Sequence, residues 1–235
     1  MAEVLSILDA PLLAEHNCWF GGGTAIVLAN GEFRESVDID FLVSDPKSYR
    51  ELRQLVKDYG LDALATRELD LGRTPSVDGY CIRTSVLVAG IAIKFEIVHE
   101  GRIDLDTPSP DDEICGLRIL TRTDQVATKL LANDDRWADT STFSRDLIDL
   151  AMMKPDTAAL KAGARKAVDA YGKAVGESLN KAVIYLQDRP QRLDGYIRAL
   201  KIDAPRAVVW QSIRDLSARC AKIEDRRSRS GLGLA

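Results

Sequence analysis

The chain is short of cysteine, of long apolar runs and of net charge, and each shortage removes a class of protein. Four cysteines are scattered through 235 residues (Cys18, Cys81, Cys115 and Cys220), with no Cys-x-x-Cys pair among them. That spacing supplies neither a disulfide framework nor a zinc site. No secretory leader is evident, so a reducing cytosol is the expected compartment and a cytoplasmic protein the expectation. No apolar stretch approaches the roughly 20 residues that span a bilayer, which predicts no membrane partner. Acids outnumber bases by 36 to 32, giving a net charge of −4, so no global field draws the chain to nucleic acid. A P-loop is also missing, because no Gly-Lys-Ser/Thr follows the glycine cluster, and so is the Rossmann glycine spacing. There are no internal repeats.

What the chain does have is concentrated in residues 21 to 40, GGGTAIVLANGEFRESVDID. Glycines ending in Thr24 let the backbone approach a phosphate closely, and N–H groups at a helix start attract anions. One short helical stretch later comes Asp38-Ile39-Asp40, inside a run from Val37 to Val43 that alternates in the β manner. Alternation puts Asp38 and Asp40 on one strand face. Neighbouring carboxylates repel unless a cation sits between them, and hard oxygen ligands suit Mg²⁺. Metal beside phosphate cradle is the outline of a nucleotide-handling enzyme. Alone, the glycines could be a tight turn and the acids an exposed strand edge. Together, with a helix between them, they are harder to explain as chance.

A hydrophobic share of 46% allows a real core, in one large domain or two small ones. Residues 1 to 16 read as one amphipathic helix, and Thr24 to Ala29 as another closed by Asn30-Gly31. Asp45 is an N-cap followed by Pro46 in the first turn, and Gly60 stops that helix after Tyr59. Tyr80 to Val88 and Ile91 to Val98 are β-rich and separated only by Ala89-Gly90, a hairpin. Alternating helix and strand with hairpin neighbours predicts an α/β fold with a mixed sheet. Asp104 to Asp112 (DLDTPSPDD) reads as a linker. Helices are expected over Thr123 to Arg136, Ser144 to Met153, Asp156 to Gly172, Lys173 to Gln187, Leu193 to Leu200 and Ala204 to Ile223, with a disordered end from Arg226.

Two further groups carry chemistry. In IAIKFEIV, Lys94 and Glu96 share the polar face of an otherwise apolar strand. They form either a surface salt bridge or a functional pair, Glu96 joining Asp38 and Asp40 as a third metal ligand while Lys94 leans toward a phosphate. In the helical half, Lys129, Asn133 and Arg136 line one helical face, and Arg145-Asp146-x-x-Asp149 follows. A salt-bridge network between helices is the plain alternative there.

The order of these elements resembles that of the AbiEii/AbiGii-type nucleotidyltransferases, toxin-type members of the DNA polymerase β-like nucleotidyltransferase superfamily. GGGTAIVLANGEFRESVDIDFLV carries the resemblance to the superfamily, and ATKLLANDDRW with SRDLIDLA points to this branch. The resemblance implies a nucleotidyltransferase domain with a mixed β-sheet over residues 1–105 and a helical C-terminal domain over 106–235. It implies transfer of a nucleoside monophosphate from an NTP substrate, with Asp38, Asp40 and Glu96 holding Mg²⁺ and Glu96 otherwise taking the proton. Gly22, Gly23, Thr24 and Ser36 would cradle the triphosphate, with Arg34, Lys94 and Arg136 also at the nucleotide. Lys129 would meet phosphate oxygens, and Asp146 would orient that lysine or the acceptor. The implied acceptor is an RNA, with the end of a tRNA as the candidate, and the implied partner is a cognate antitoxin protein. Basic residues from Arg198 onward offer an electrostatic footprint for RNA. Transfer to a small molecule, as in antibiotic-modifying relatives, is the rival enzymatic reading. A non-catalytic nucleotide- or partner-binding protein is the third.

Overall fold

A computed structural model describes the backbone of residues 1–230 and the side chains through residue 223. These residues fall into two compact units, one of Met1–Ala29 with Ser36–Thr121, the other of Asn30–Glu35 with the chain from Arg122. No described helix is long and apolar enough to cross a membrane.

The first unit is built on a mixed five-stranded sheet. Its elements are helices α1 (Ala2–Ile7) and α2 (Ala10–Glu15), strand β1 (Trp19–Gly21), α3 (Gly22–Ala29), β2 (Ile39–Val43), α4 (Pro46–Tyr59), then β3 (Leu71–Val77), β4 (Cys81–Val88) and β5 (Ile91–His99). Strand order is β1-β2-β5-β4-β3, parallel only between β2 and β5. The hairpin turn is as expected: Ala89 and Gly90 both have positive φ, 49° and 78°, the pairing that a tight right-twisted hairpin needs. Asp45 caps α4 by accepting from the Ser48 N–H, and Gly60 ends it at φ 78°. Tyr49, Leu52 and Val56 recur at helical spacing and form its buried face.

The amino-terminal segment is two helices rather than one. Asp9 accepts from the Leu12 N–H and, with Pro11 in the first turn, starts a new helix. Leu8 is extended there and bridges Ala65. Strand β2 begins at Ile39, so Asp38 precedes it. Strand β3 went unforeseen, because Arg73 and Pro75 mask it; a proline is tolerated there since β3 is an edge strand.

Ile39, Phe41 and Val43 of β2 and Phe95 and Ile97 of β5 are fully buried. Phe41 is the hinge of an aromatic row, 5.5 Å from Phe20 and 5.8 Å from Phe95 between ring centroids. Each ring contributes roughly 1.5–3 kcal/mol by leaving water. Because side chains alternate, this core on one face of the sheet turns Asp40, Lys94 and Glu96 to the other. Residues 104–112 lie inside the sheet unit and do not link the two units; after them the short strands β6 (Glu113–Ile114) and β7 (Leu117–Arg118) pair, and the Leu120 N–H then donates to the Phe20 carbonyl. That bond keeps the chain with the sheet unit through Thr121.

The second unit is helical: α5 (Arg122–Arg136), α6 (Arg145–Met152), α7 (Thr157–Tyr171), α8 (Ala174–Gln187), α9 (Pro190–Ala199) and α10 (Arg206–Ser230). Asp156 caps α7 and Gly172 closes it. Helix α10 continues to Ser230 instead of giving way at Arg226, while residues 231–235 lie outside the described residues.

Candidate active site

Pairing across the sheet builds a row of functional side chains. Gly21 of β1 faces Asp40 of β2, Asp40 faces Glu96 of β5, and Glu96 faces Arg83 of β4. Opposed residues on neighbouring strands project from the same face, so Asp40 and Glu96 stand side by side. Lys94, two residues before Glu96, joins them: its Nζ lies 2.7 Å from Glu96 Oε2 and 3.9 Å from Asp40 Oδ1. Burial alone would lower the Lys94 pKa, but the Glu96 hydrogen bond and the charges of Asp40, Glu96 and Asp38 raise it overall. Two of the three expected acids, Asp40 and Glu96, therefore meet at the Lys94 ammonium, while Asp38 bears on it through its charge alone.

That convergence bears on Mg²⁺. Asp40 and Glu96 supply hard oxygen donors beside one cationic position, the donor chemistry that suits a small divalent ion. As they stand, the acids are arranged around Lys94, and among the described residues no three acid, histidine or cysteine side chains form a ready metal cage. Glu96 is further engaged by Arg83, whose Nε lies 3.5 Å from Oε1. Arg83 was not anticipated from the sequence. The hint was its place on the β4 face opposite Glu96, legible only once the hairpin register is known.

The glycine segment supplies the other half of this site. Gly22 opens α3 at φ +67°, and a Cβ built there would come 2.4 Å from Asp40 Oδ2. Only glycine fits, for conformation and for space. Gly23 follows in the first turn of α3. Thr24 is fully buried, and its Oγ1 hydrogen-bonds the half-buried Ser36 Oγ at 2.8 Å. The exposed hydroxyl is thus that of Ser36, with Thr24 holding it. α3 carries no acidic residue in its first turn, and its amide end, beside the Asp40 carboxylate, favours negative charge.

The remaining expected residues form a second cluster, within the helical unit. Arg34 grips Asp149 with two parallel bonds, Nε–Oδ1 at 2.7 Å and Nη2–Oδ2 at 2.8 Å. Lys129 Nζ bridges Asp149 Oδ2 at 2.7 Å and Asp146 Oδ1 at 3.0 Å. Arg136 closes the chain on Asp146, Nε–Oδ2 at 2.6 Å and Nη2–Oδ1 at 2.9 Å. Three cations meet two carboxylates, and Asp135 adds a negative charge near Arg136. The three cations and two carboxylates are buried except Arg136, whose side chain is 36% exposed. Burial on its own would raise the Asp146 pKa, yet Lys129 and Arg136 hold it well below the usual carboxylate range. Asn133, on the same face of α5, keeps a buried Nδ2 without a hydrogen-bond partner.

The basic residues expected near the C-terminus are partly committed to the fold: Arg219 donates to the Pro155 carbonyl at 2.7 Å, and Arg214 to Gln211. The side chains of Arg226, Arg227 and Arg229 lie outside the described residues.

Comparison with known proteins bears on the family and the fold. Residues 6–218 match the family described as nucleotidyl transferase AbiEii toxin, type IV toxin–antitoxin system. Two solved Helicobacter pylori structures share the fold. One is a candidate nucleotidyltransferase, 19% identical with a TM-score of 0.50, the match covering 94% of this chain and 92% of that one. The other is JHP933, 20% identical with a TM-score of 0.51, covering 96% and 91%. No curated protein matches the sequence.

Proposed function

The chain belongs to the AbiEii nucleotidyl transferase toxin family, and from that membership we propose that it moves a nucleoside monophosphate from an NTP to a hydroxyl of RNA, with Mg²⁺ bound at Asp38 and Asp40. The observation that carries this reading is the packing of Gly22 against Asp40, which sets a helix amide end beside a carboxylate group. Anion and cation sites side by side are what a metal–triphosphate complex requires.

In the proposed reaction the acceptor hydroxyl oxygen bonds to the α-phosphorus, the bond to the β-phosphate oxygen breaks, and pyrophosphate leaves. A bound Mg²⁺ would neutralise charge on the transferring and leaving phosphates. Gly22 and Gly23 offer backbone approach to the triphosphate, while Thr24 orients Ser36 toward it. Glu96 either completes the metal shell or accepts the hydroxyl proton. Lys94, resident on the acids, is placed to turn to a phosphate when a stronger cation arrives. Arg136 is the exposed end of this cluster, and its guanidinium is suited to phosphate oxygens. Lys129 and Asp146 hold it in place, and Arg34 with Asp149 anchors the far end of the chain. Family membership implies an antitoxin that restrains the activity.

The test is incubation with each α-labelled NTP, Mg²⁺ and total RNA. Label entering RNA with the wild type and not with Asp40→Asn supports the reading. Transfer of label only to small molecules would move the acceptor to the small-molecule class.

A further inference from the structure

The helical unit carries a surface strip that the transfer chemistry does not use. The guanidinium of Arg189 lies 4.7 Å from the centre of the Tyr185 ring and that of Arg192 5.6 Å from it. Both arginines are exposed, and among the described residues neither has a carboxylate at ion-pairing distance. The next acid along α9, Asp194, is engaged by Arg206 at 3.0 Å. Helix α9 starts at this point with Arg189 as its N-cap, no side-chain cap and no acid in its first turn. Two like charges and the positive end of a helix are thus gathered at one place, with Asp188 beside Arg189 in the chain but in no ion pair with either arginine, an arrangement that favours an incoming anion.

An aromatic pair continues from there, buried at Tyr196 and partly exposed at Phe143. Tyr196 is nearly fully buried, its hydroxyl making no hydrogen bond of good geometry, though Arg192 and Tyr185 lie close enough to the phenol to act on it. Phe143 packs edge-on against Tyr196 at 5.7 Å and leaves its own ring 37% exposed. Phe143 and Ser144 are both left-handed, at φ 55° and 50°, an uncommon conformation for residues other than glycine, and it presents the ring three residues before Asp146. Exposed guanidiniums beside one partly exposed ring, that of Phe143, are features by which proteins hold unpaired nucleic acid.

We propose that the strip from Arg189 and Arg192 through Tyr196 to Phe143 binds a single-stranded RNA segment, phosphates on the two arginines and a base on Phe143. This rests on the RNA-acceptor reading and adds where an unpaired stretch of the acceptor is held. Duplex RNA fits it poorly, since paired bases offer no free face to Phe143.

Fluorescence anisotropy with an unstructured RNA oligonucleotide of about ten nucleotides, and with a hairpin of matched length, tests the proposal. The wild type should prefer the unstructured probe. R189Q/R192Q should bind it about tenfold or more weakly, and the slope of log K against log salt should fall by roughly 1.4, two contacts at about 0.7 each for single strands. Phe143→Ala should weaken binding with the salt slope unchanged, because a ring releases no counterions. Unchanged affinity and slope in R189Q/R192Q would overturn the strip, even if label from NTP still enters RNA and the acceptor reading stands. Loss of binding in these variants would support the strip even if no RNA is ever labelled, in which case the acceptor reading alone fails.

Discussion

Gly22 stands against Asp40 so closely that a methyl group at position 22 would lie 2.4 Å from the Asp40 carboxylate oxygen. Gly22→Ala should therefore do two things at once. Strain at positive φ costs about 1–3 kcal/mol, and displacement of Asp40 should remove most transfer activity. Gly31→Ala is the control, since φ there is +78° but nothing lies within 4 Å of an added Cβ. Chemical denaturation and a transfer assay on both variants check this: equal activity in the two would show that the approach to Asp40 is irrelevant to function.

Asp38→Asn and Asp40→Asn should abolish transfer while leaving the melting temperature near that of the wild type, because both side chains are only half-buried and Lys94 keeps Glu96 as its partner at 2.7 Å. Both should also weaken Mn²⁺ binding followed by electron paramagnetic resonance. Wild-type activity in either variant would remove these residues from the catalytic group.

Thr24→Val keeps the shape of a fully buried side chain and deletes its hydrogen bond to Ser36. A neutral hydrogen bond is worth about 1 kcal/mol, so the KM for NTP should rise roughly fivefold with kcat little changed. A fall in kcat with KM unchanged would place Ser36 in the chemical step.

Lys129→Ala strands Asp146 and Asp149 as buried carboxylates short of a partner. Removing one member of a buried ion pair costs about 3–5 kcal/mol, so urea denaturation should reveal a large loss of stability. Loss of nucleotide use with stability intact would instead mean that Lys129 turns from these aspartates to a phosphate.

The same cluster sets an acid limit. Asp146 is depressed below the ordinary carboxylate range in the folded chain. Its stabilising contribution is therefore complete above the unfolded value of about 4 and is lost as pH falls from there toward the folded value. Denaturation measured from pH 6 downward should show stability declining below about pH 4, with a shallower decline in Lys129→Ala. Parallel profiles would show that Lys129 is not the cause of the shift.

Much of the fold was legible because its signals are local. The Asp45 cap, the Gly60 stop, the Ala89-Gly90 turn and the Asp156 cap each depend on a few consecutive residues, and each appears where the spacing puts it. The split at Leu8-Asp9 was missed because apolar periodicity ran through it, although Asp9 and Pro11 mark a new start. Strand β1, three residues long, has too little pattern to be seen without its partner β2.

The sequence by itself determined the candidate chemistry, the types of side chain available, and most elements that present them: a glycine run at a helix start, acids beside a strand, and basic and acidic residues on two helices. Tertiary structure decided which of them meet. The parallel register that sets Asp40 beside Glu96, the positioning of Arg83 across from it, and the grip of Arg34 on Asp149 across 115 residues all come from packing. Strand register depends on how the Phe41 and Phe95 side chains share one core, and ion pairs between helices depend on where apolar faces dock. Neither is written in the spacing of neighbouring residues, because the contacts that set them join segments distant along the chain.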